Sequence, residues 1–421
     1  MYRRNPNDWL ISPERFFGND IRFGNLLGNK SFIESLIEYS RIVKEFQFWK
    51  KEKIEEIQNT RLNNLLESIN KKYEGGNIIT IHSSGTSGIQ KKILIDEREG
   101  IISWFPCRLT NPAFNFDEKL IKNIFNRKFV ICLGGSTRVW LKDFMYLLRT
   151  TPVDLIDKIN RELIYEKINE VHPAFVIGPG SSVSALARKM DEDGFDLSHL
   201  LALELTTEPI LSEEKSFINN LKIPLLNTFS SAEAGPIGFE CPNNPERFHL
   251  FAQRMMLEVI NENGLPARDG DEGELVITVL DRRVMPIIRY ALGDRGKIIS
   301  DSCPCGRSLP LFELSSRRGD KLKLSSGREV PSSLLYMSLK RAEIGKVARA
   351  FQIRQNAVDQ IELLIVPSRK KRARITEETE LKFRLALTEF FYNERMLIEV
   401  RKVDAIPVSS SGKTLFFVPL Q

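Results

Sequence analysis

The run His82-Ser-Ser-Gly-Thr-Ser-Gly-Ile-Gln-Lys-Lys92 follows directly on the apolar stretch Ile78-Ile-Thr-Ile81. β-Formers that give way to Gly, Ser and Thr predict a strand entering a tight loop. Backbone N–H groups and hydroxyls in such a loop donate to phosphate oxygens, and glycine lets the chain approach them closely. Lys91 or Lys92 adds positive charge to those contacts. The segment therefore points to a nucleoside triphosphate. It is not a P-loop, because Ile89 rather than lysine follows Gly88. Gly85 and Gly88 do not supply a G-x-G-x-x-G dinucleotide fingerprint either. The competing reading is an ordinary polar hairpin loop, so the rest of the chain has to decide.

Upstream, residues 31–72 read as helical, with apolar positions such as Phe32, Leu36, Val43, Ile54 and Leu65 at spacings of three and four, ending at Gly75-Gly76. Downstream, short β-type runs alternate with helical stretches. Phe129-Val-Ile-Cys-Leu133, Phe175-Val-Ile177, Leu201-Ala-Leu-Glu-Leu205 and Ile223-Pro-Leu-Leu226 are the strands; 152–169, 181–190 and 212–220 are the helices. This alternation predicts an α/β domain with largely parallel strands. Residues 247–300 read as strands and turns, including Glu274-Leu-Val-Ile-Thr-Val-Leu280. Beyond Arg317-Arg-Gly-Asp320 a second alternation begins, with Gln360-Ile-Glu-Leu-Leu-Ile-Val366, a charged helix over 375–391, and Leu397-Ile-Glu-Val400. The expected fold class is thus α/β. A large N-terminal core, 1–319, combines parallel-rich sheets, helices and a strand-rich subdomain; a small α+β domain, 320–421, follows. No internal repeat is evident.

The chain has 421 residues, of which 42% are hydrophobic and 28% charged, enough for a large core and a second domain. No apolar run approaches a membrane span. The polar start Met1-Tyr-Arg-Arg-Asn-Pro-Asn-Asp8 lacks the apolar core of a secretory signal. Five cysteines, few and odd in number, point to a reducing compartment, so a cytoplasmic location is expected. The formal charge of +6 suits anionic small ligands and gives no sign of a nucleic-acid partner.

Four further segments join the opening loop. They are Leu226-Asn-Thr-Phe-Ser-Ser-Ala-Glu-Ala-Gly235, Met285-Pro-Ile-Ile-Arg-Tyr-Ala-Leu-Gly-Asp294, Arg317-Arg-Gly-Asp-Lys-Leu-Lys-Leu-Ser-Ser-Gly327 and Ser409-Ser-Ser-Gly-Lys-Thr414. In this order and spacing they resemble the adenylate-forming superfamily of acyl-CoA synthetases, adenylation domains and luciferases, and within it the phenylacetate–CoA ligase branch. The resemblance runs from about residue 80 to 415. Ser83 to Lys91 matches the family's S-S-G-T-T-G-x-P-K, with Gln90 in place of proline. Glu208-Pro209 matches a G-x-E-P segment, and Cys303-Pro-Cys-Gly-Arg307 looks like the C-x-C-G-R insertion of this branch.

The resemblance implies an enzyme in which a carboxylate attacks the α-phosphate of ATP and pyrophosphate leaves. Such a site must hold the leaving phosphates, stabilise charge at the α-phosphate and fix the nucleoside. Ser83, Ser84, Gly85, Thr86, Ser87, Gly88 and Lys91 would cradle the phosphates. Thr207, Glu208 and Pro209 would lie beside the adenine, with Asn227, Thr228, Phe229 and Ser230 around the nucleoside. Phe229 would stack on the base, and the Asn227 oxygen would accept from its amino group. Glu233 is a hard oxygen ligand for Mg²⁺. Asp294 would accept from both ribose hydroxyls, and Arg318 would reach the ribose or phosphate from the hinge. Lys413 would meet the α-phosphate and the substrate carboxylate. Lys413, Glu233 and Thr86 are the candidate catalytic groups. Gly178, Pro179, Gly180 and Ser181, with Ala234, Gly235 and Pro236, would line the acid pocket; ordinary turn punctuation explains these residues as well. Singly, Glu233 also reads as a solvated loop acid, Asp294 as a turn residue, Arg318 as a surface charge and Lys413 as a tail lysine. The chain departs from the family pattern at Ala232, where Ser or Thr is usual, at Phe229, where Tyr is usual, and at Ala291-Leu292.

Cys241, His249, Cys303 and Cys305 form a second cluster, suited in ligand type to a tetrahedral structural Zn²⁺. The alternative is buried thiols and a core histidine. The branch resemblance favours the metal. The basic run Ser368-Arg-Lys-Lys-Arg-Ala-Arg374 reads as a solvated face, or as a contact for coenzyme A phosphates or an acidic carrier protein. The expected function is an ATP-dependent ligase for a carboxylic acid, an aromatic acid by family weighting, with coenzyme A as acceptor. Two alternatives stand beside it. One is adenylation with transfer to an amine, a hydroxyl or a carrier-protein thiol; the other is a catalytically silent, zinc-stabilised binding protein.

Overall fold

A computed structural model of the chain describes residues 30–69, 78–82, 92–112, 130–133, 145–148, 155, 158–196, 200–206, 212–317, 321–368, 375–388, 391, 394–407 and 415–420. The helical stretch expected over 31–72 is two helices, α1 (Lys30–Phe46) and α2 (Lys51–Ile69), with a turn between them. No proline or glycine marks that break. Its reason is tertiary: the Gln47 carbonyl accepts from the Ser308 N–H at 2.9 Å, and its side chain donates to the Thr110 carbonyl at 3.2 Å.

Strands β1 (Ile78–His82) and β2 (Lys92–Asp96) form an antiparallel hairpin closed by the His82–Lys92 pair. Helix α3 (Glu97–Leu109) follows at once. It starts where the Asp96 N–H donates to the Glu99 carboxylate at 3.3 Å, a side-chain acceptor for a helix-start donor. Next come β3 (Val130–Leu133), β4 (Met145–Leu148), α4 (Lys158–Val171), β5 (Phe175–Pro179), α5 (Gly180–Glu192), β6 (Ala202–Thr206), α6 (Ser212–Asn220) and β7 (Leu225–Ser231). β3, β4, β5, β6 and β7 pair in parallel. β5 and β6 are buried along their whole length; β5 accordingly reads as a continuous apolar run, whereas β6 carries a buried Glu204 at its centre. Leu186, Met190, Leu203, Leu205 and Ile218 join the core between this half of the sheet and its helices.

From β7 onward the pairing turns antiparallel. The strands β8 (Gly235–Cys241), β9 (Asn244–Leu250), β10 (Met255–Ile260), β11 (Gly273–Val279), β12 (Tyr290–Ile299) and β13 (Leu311–Arg317) extend the same sheet, in the order β10-β11-β12-β13-β9-β8-β7-β6-β5-β3-β4. The strand-rich region is therefore continuous with the parallel half rather than a sheet apart. Gly238 is required here. A Cβ at this position would come within 2.7 Å of the His249 carbonyl oxygen and 2.9 Å of the Phe312 ring. Phe239, Phe251, Phe312 and Ile277 build a second core, which also takes in Phe46 and Ile57 from α1 and α2.

The C-terminal part comprises β14 (Lys321–Lys323), β15 (Glu329–Pro331), α7 (Ser332–Arg341), β16 (Ala348–Ala357), β17 (Gln360–Pro367), α8 (Glu377–Thr388), β18 (Leu397–Lys402) and β19 (Phe417–Val418). Its sheet runs β18-β17-β16-β19. A third core, from Leu322 to Phe417, contains only residues of this part. Among the described residues no helix is long and apolar enough to cross a membrane.

Candidate nucleotide site and metal cluster

Ser83, Ser84, Gly85, Thr86, Ser87, Gly88 and Lys91 lie outside the described residues, as do Thr207, Glu208, Pro209, Arg318 and Lys413. The hairpin that carries the first group is described, and its packing is informative. Ile81, Ile93 and Ile95 form a small core against which Ala232 and Met285 pack. The Leu94 N–H also lies 3.5 Å from the Met285 Sδ. The hairpin is thus seated on the residue before Glu233. Ala232, the departure from the family's usual hydroxyl, is an apolar contact for those isoleucines.

Glu233 sits in the turn between β7 and β8. Two features set that turn: the Ala234 N–H donates to Ser231 Oγ at 3.0 Å, and Gly235 takes a left-handed φ of +73°, which glycine adopts without steric cost. Buried Arg254 grips the turn from below. Its Nη1 donates to the carbonyls of Ala234 at 2.9 Å and Pro236 at 2.6 Å, and its Nε and Nη2 bind the Asp281 carboxylate at 3.0 and 3.1 Å. The carbonyls of Ala234 and Pro236, on either side of Gly235, therefore face Arg254. On the other side, Tyr290 Oη donates to Glu233 Oε1 at 2.8 Å. Asp294 lies four residues further along β12, roughly 13 Å of extended strand at most. It stands opposite Arg317, at a register shift between Asp294 and Gly296; such a bulge re-aims a side chain relative to a regular ladder.

Gly178, Leu205 and Asn227 occupy one register row across β5, β6 and β7. Pro179, Gly180 and Ser181 lead from β5 into α5. These are carboxyl ends of parallel strands, where ligands of α/β sheets bind. A Cβ on Gly178 would lie 2.8 Å from Leu133 Cβ, so close strand packing alone accounts for that glycine. Asn227 Nδ2 donates to Glu240 at 2.5 Å, and Lys215 Nζ bonds both Glu240 oxygens at 2.7 Å. The amide oxygen of Asn227 is thereby directed away from Glu240. Half-buried Phe229, on the same strand, meets Phe248 and Phe312 edge-on at 6.2 and 5.9 Å.

The thiols and imidazole of Cys241, His249, Cys303 and Cys305 offer ligand atoms that all lie within 4.8 Å of one another. Cys241 Sγ is 3.6 Å from Cys303 Sγ, and His249 Nε2 is 3.2 Å from Cys305 Sγ. Tetrahedral Zn²⁺ with its usual ligand distances needs edges of about 3.5–3.8 Å. Sheet register assembles the set: His249 pairs with Phe239 on one side and Leu311 on the other, and Cys303 and Cys305 occupy the turn before β13. The cluster lies wholly in the antiparallel half, because β8, β9 and β13 are neighbours there. Burial, with Arg307 nearby, lowers His249 to about 4, so the imidazole is neutral and able to coordinate. Burial pushes the Cys241 thiol up to about 12. Burial also works to raise Cys305, but the backbone and side-chain N–H groups of Arg307 outweigh it and hold that thiol below its ordinary range.

Reading the sequence missed α3, Arg254, Asp281 and the Tyr290 contact. Tyr290 lay inside a recognised motif; the other three carried no local signal.

No family model matches the chain. A phenylacetate–coenzyme A ligase of Thermus thermophilus is 24% identical over 208 residues, 47% of this chain and 46% of that protein. The chain spans about half or less of the length of the curated relatives it matches. Among solved structures, a 2-hydroxyisobutyryl-CoA ligase in the postadenylation state in complex with 2-HIB-AMP superposes with a TM-score of 0.57 at 16% identity, covering 93% of this chain and 89% of that one. An anthranilate CoA ligase in complex with anthranoyl-AMP gives 0.54 at 14% identity, over 80% and 64% of the two chains. At these identities the structural likeness is one of fold. Order of motifs, fold and partial sequence relationship together support the adenylate-forming superfamily, and within it the phenylacetate–CoA ligase-like branch.

Proposed function

We propose that the chain is an ATP-dependent carboxylic acid ligase that forms an acyl- or aryl-adenylate and passes the acyl group to coenzyme A. The observation that carries this reading is the seating of the β1–β2 hairpin on Ala232, which brings the stem of the Ser/Gly/Thr loop against the Glu233 turn. Tyr290 then links Glu233 to the strand that bears Asp294. Phosphate-binding loop, metal-binding acid and ribose-binding acid would follow one another around a single nucleotide.

Glu233 fits Mg²⁺ as a carboxylate with one oxygen oriented by Tyr290. The ion supplies positive charge beside the phosphates when bound. Asp294 would accept from the ribose hydroxyls, and Asn227, oriented by Glu240, would accept from the adenine amino group. Lys413 would place its ammonium where charge grows on the α-phosphate. The Cys241, His249, Cys303 and Cys305 set fits a structural Zn²⁺ in ligand type and spacing. The acid is proposed to be aromatic, in line with the phenylacetate- and anthranilate-activating proteins to which the chain is similar.

Residues 1–319 would be the adenylating core and 320–421 a mobile domain turning about Asp320–Lys321, a division supported by the separate core from Leu322 to Phe417. The rotation would withdraw Lys413 and open the thiol route. Pyrophosphate release is measured across aryl and alkyl acids, with and without coenzyme A. Lys413→Ala should reduce adenylate formation by roughly 10²–10³-fold while sparing thioester formation from supplied acyl-adenylate. Equal loss in both half-reactions would refute the role of Lys413. Absence of any ATP-dependent pyrophosphate release would refute the ligase reading.

A further inference from the structure

Glu204 lies in the middle of β6, with no exposure to solvent, and Arg108 on α3 is nearly as buried. Arg108 Nε donates to Glu204 Oε2 at 2.5 Å, and its Nη1 donates to the Trp104 carbonyl at 2.9 Å. The guanidinium also lies over the Trp104 ring, 3.5 Å from its centroid. A buried ion pair is stable only when its remaining hydrogen-bonding capacity is satisfied. Here it is not. Among the described residues, Glu204 Oε1 and Trp104 Nε1 are buried polar atoms without a partner. One is an acceptor and the other a donor, and both belong to side chains touching the same guanidinium. Native interiors rarely leave such groups unmatched without a functional reason.

Their place in the fold is informative. Ser103, adjacent to Trp104 on α3, has its Oγ 3.8 Å from where a Cβ on Gly235 would stand. Glu204 shares its face of β6 with Thr206, whose register partner is Pro179. α3 and β6, which carry the unmatched pair, therefore each run beside one of the two segments proposed to line the acid pocket.

We infer that Glu204 and Trp104 form a polar subsite for the acid, and that the acid carries a hydroxyl group. A hydroxyl donates to Glu204 Oε1 and accepts from Trp104 Nε1, satisfying both at once; a plain aryl or alkyl chain would leave both unmatched. This rests on the adenylating reading and specifies its substrate class. The same site would discriminate strongly, because an analogue lacking the hydroxyl buries two polar groups without replacement.

The test compares kcat/KM for pyrophosphate release between hydroxy-substituted acids and their unsubstituted counterparts. The full chain should prefer a hydroxylated acid by at least about ten-fold. Trp104→Phe keeps the ring over Arg108 and removes only the N–H; it should cut that preference about three- to ten-fold, mainly through KM. Glu204→Gln should reduce it as well, and Trp104→Phe keeps the inference testable if Glu204→Gln fails to fold. Equal rates with hydroxylated and plain acids, or an unchanged preference in Trp104→Phe, would overturn the inference and assign the two groups to an internal water. No pyrophosphate release with any acid would defeat the adenylating reading instead.

Discussion

Two polar clusters share the antiparallel half of the sheet, and they are built in opposite ways. The Cys241, His249, Cys303 and Cys305 set is gathered by strand register and one short turn, from residues mostly buried. The Glu233 turn is held at its edges, by Arg254 on its carbonyls and Tyr290 on its carboxylate, while Glu233 itself stays partly exposed. A site whose ligands all face one another is suited to fix structure; a site braced from behind is suited to receive something from outside. The difference predicts that substitutions in the first cluster act on stability and those in the second on chemistry.

The largest effect expected is at the first cluster. Structural zinc contributes about 10–16 kcal/mol in small peptides, and less in a chain with its own cores. If the cluster holds the proposed zinc, Cys303→Ser should abolish metal binding and lower Tm by about 10 °C, read by metal analysis and thermal melting. Below its own Tm the variant should retain pyrophosphate release to within about three-fold. A variant that keeps its Tm but loses its chemistry would reverse the comparison. Next in size is Glu233→Gln, which keeps the side chain's shape and removes its charge. Pyrophosphate release should fall about 10²–10³-fold, or roughly 2.7–4 kcal/mol, with zinc content and Tm unchanged. A coincident drop in Tm would mean that the Glu233 turn is structural too.

How far the sequence reveals this arrangement depends on what surrounds each element. Phe175–Ile177 reads correctly as a strand because burial on both faces keeps it apolar throughout, and Leu201–Leu205 because every residue but Glu204 is apolar. α3 escapes the same reading for a related reason. It is enclosed by the hairpin, β8 and β6, so Ser103, Trp104, Phe105, Cys107, Arg108 and Leu109 are all buried and no apolar stripe emerges. Its internal Pro106 also argues against a helix. The β8–β9 hairpin was hidden by Pro236, Gly238 and Pro245, poor strand formers whose presence is explained only by their neighbours. The Cys/His cluster was legible as residue types, whereas its assembly depends on the His249–Leu311 register, which joins positions far apart in sequence. Arg254 and Asp281 gave no local sign, because their pairing exists only once β10 and β11 lie side by side.

The smallest expected effect concerns the brace behind Asn227. Burial alone would raise the Glu240 carboxyl, but the Lys215 ammonium and the N–H groups of Asn227 and Glu246 outweigh it and hold the group below the ordinary range. A carboxyl more acidic in the folded than in the unfolded chain stabilises the fold fully above its unfolded value, about 4.3, and loses that contribution as pH falls through the folded value. Lys215→Met removes the main opposing charge and leaves the burial. Its stability by urea unfolding should therefore drop by about 1–3 kcal/mol near pH 7, and its loss on acidification should be smaller than the parent's, so that the two stabilities converge as pH falls below about 4.3. Glu240 also orients the Asn227 amide, so ATP affinity should weaken by only about two- to ten-fold, since a neutral hydrogen bond is at stake rather than a charge. A larger loss of ATP binding, with stability intact, would move Lys215 and Glu240 from the supporting structure into the nucleotide site and erase the contrast between a braced site and its brace.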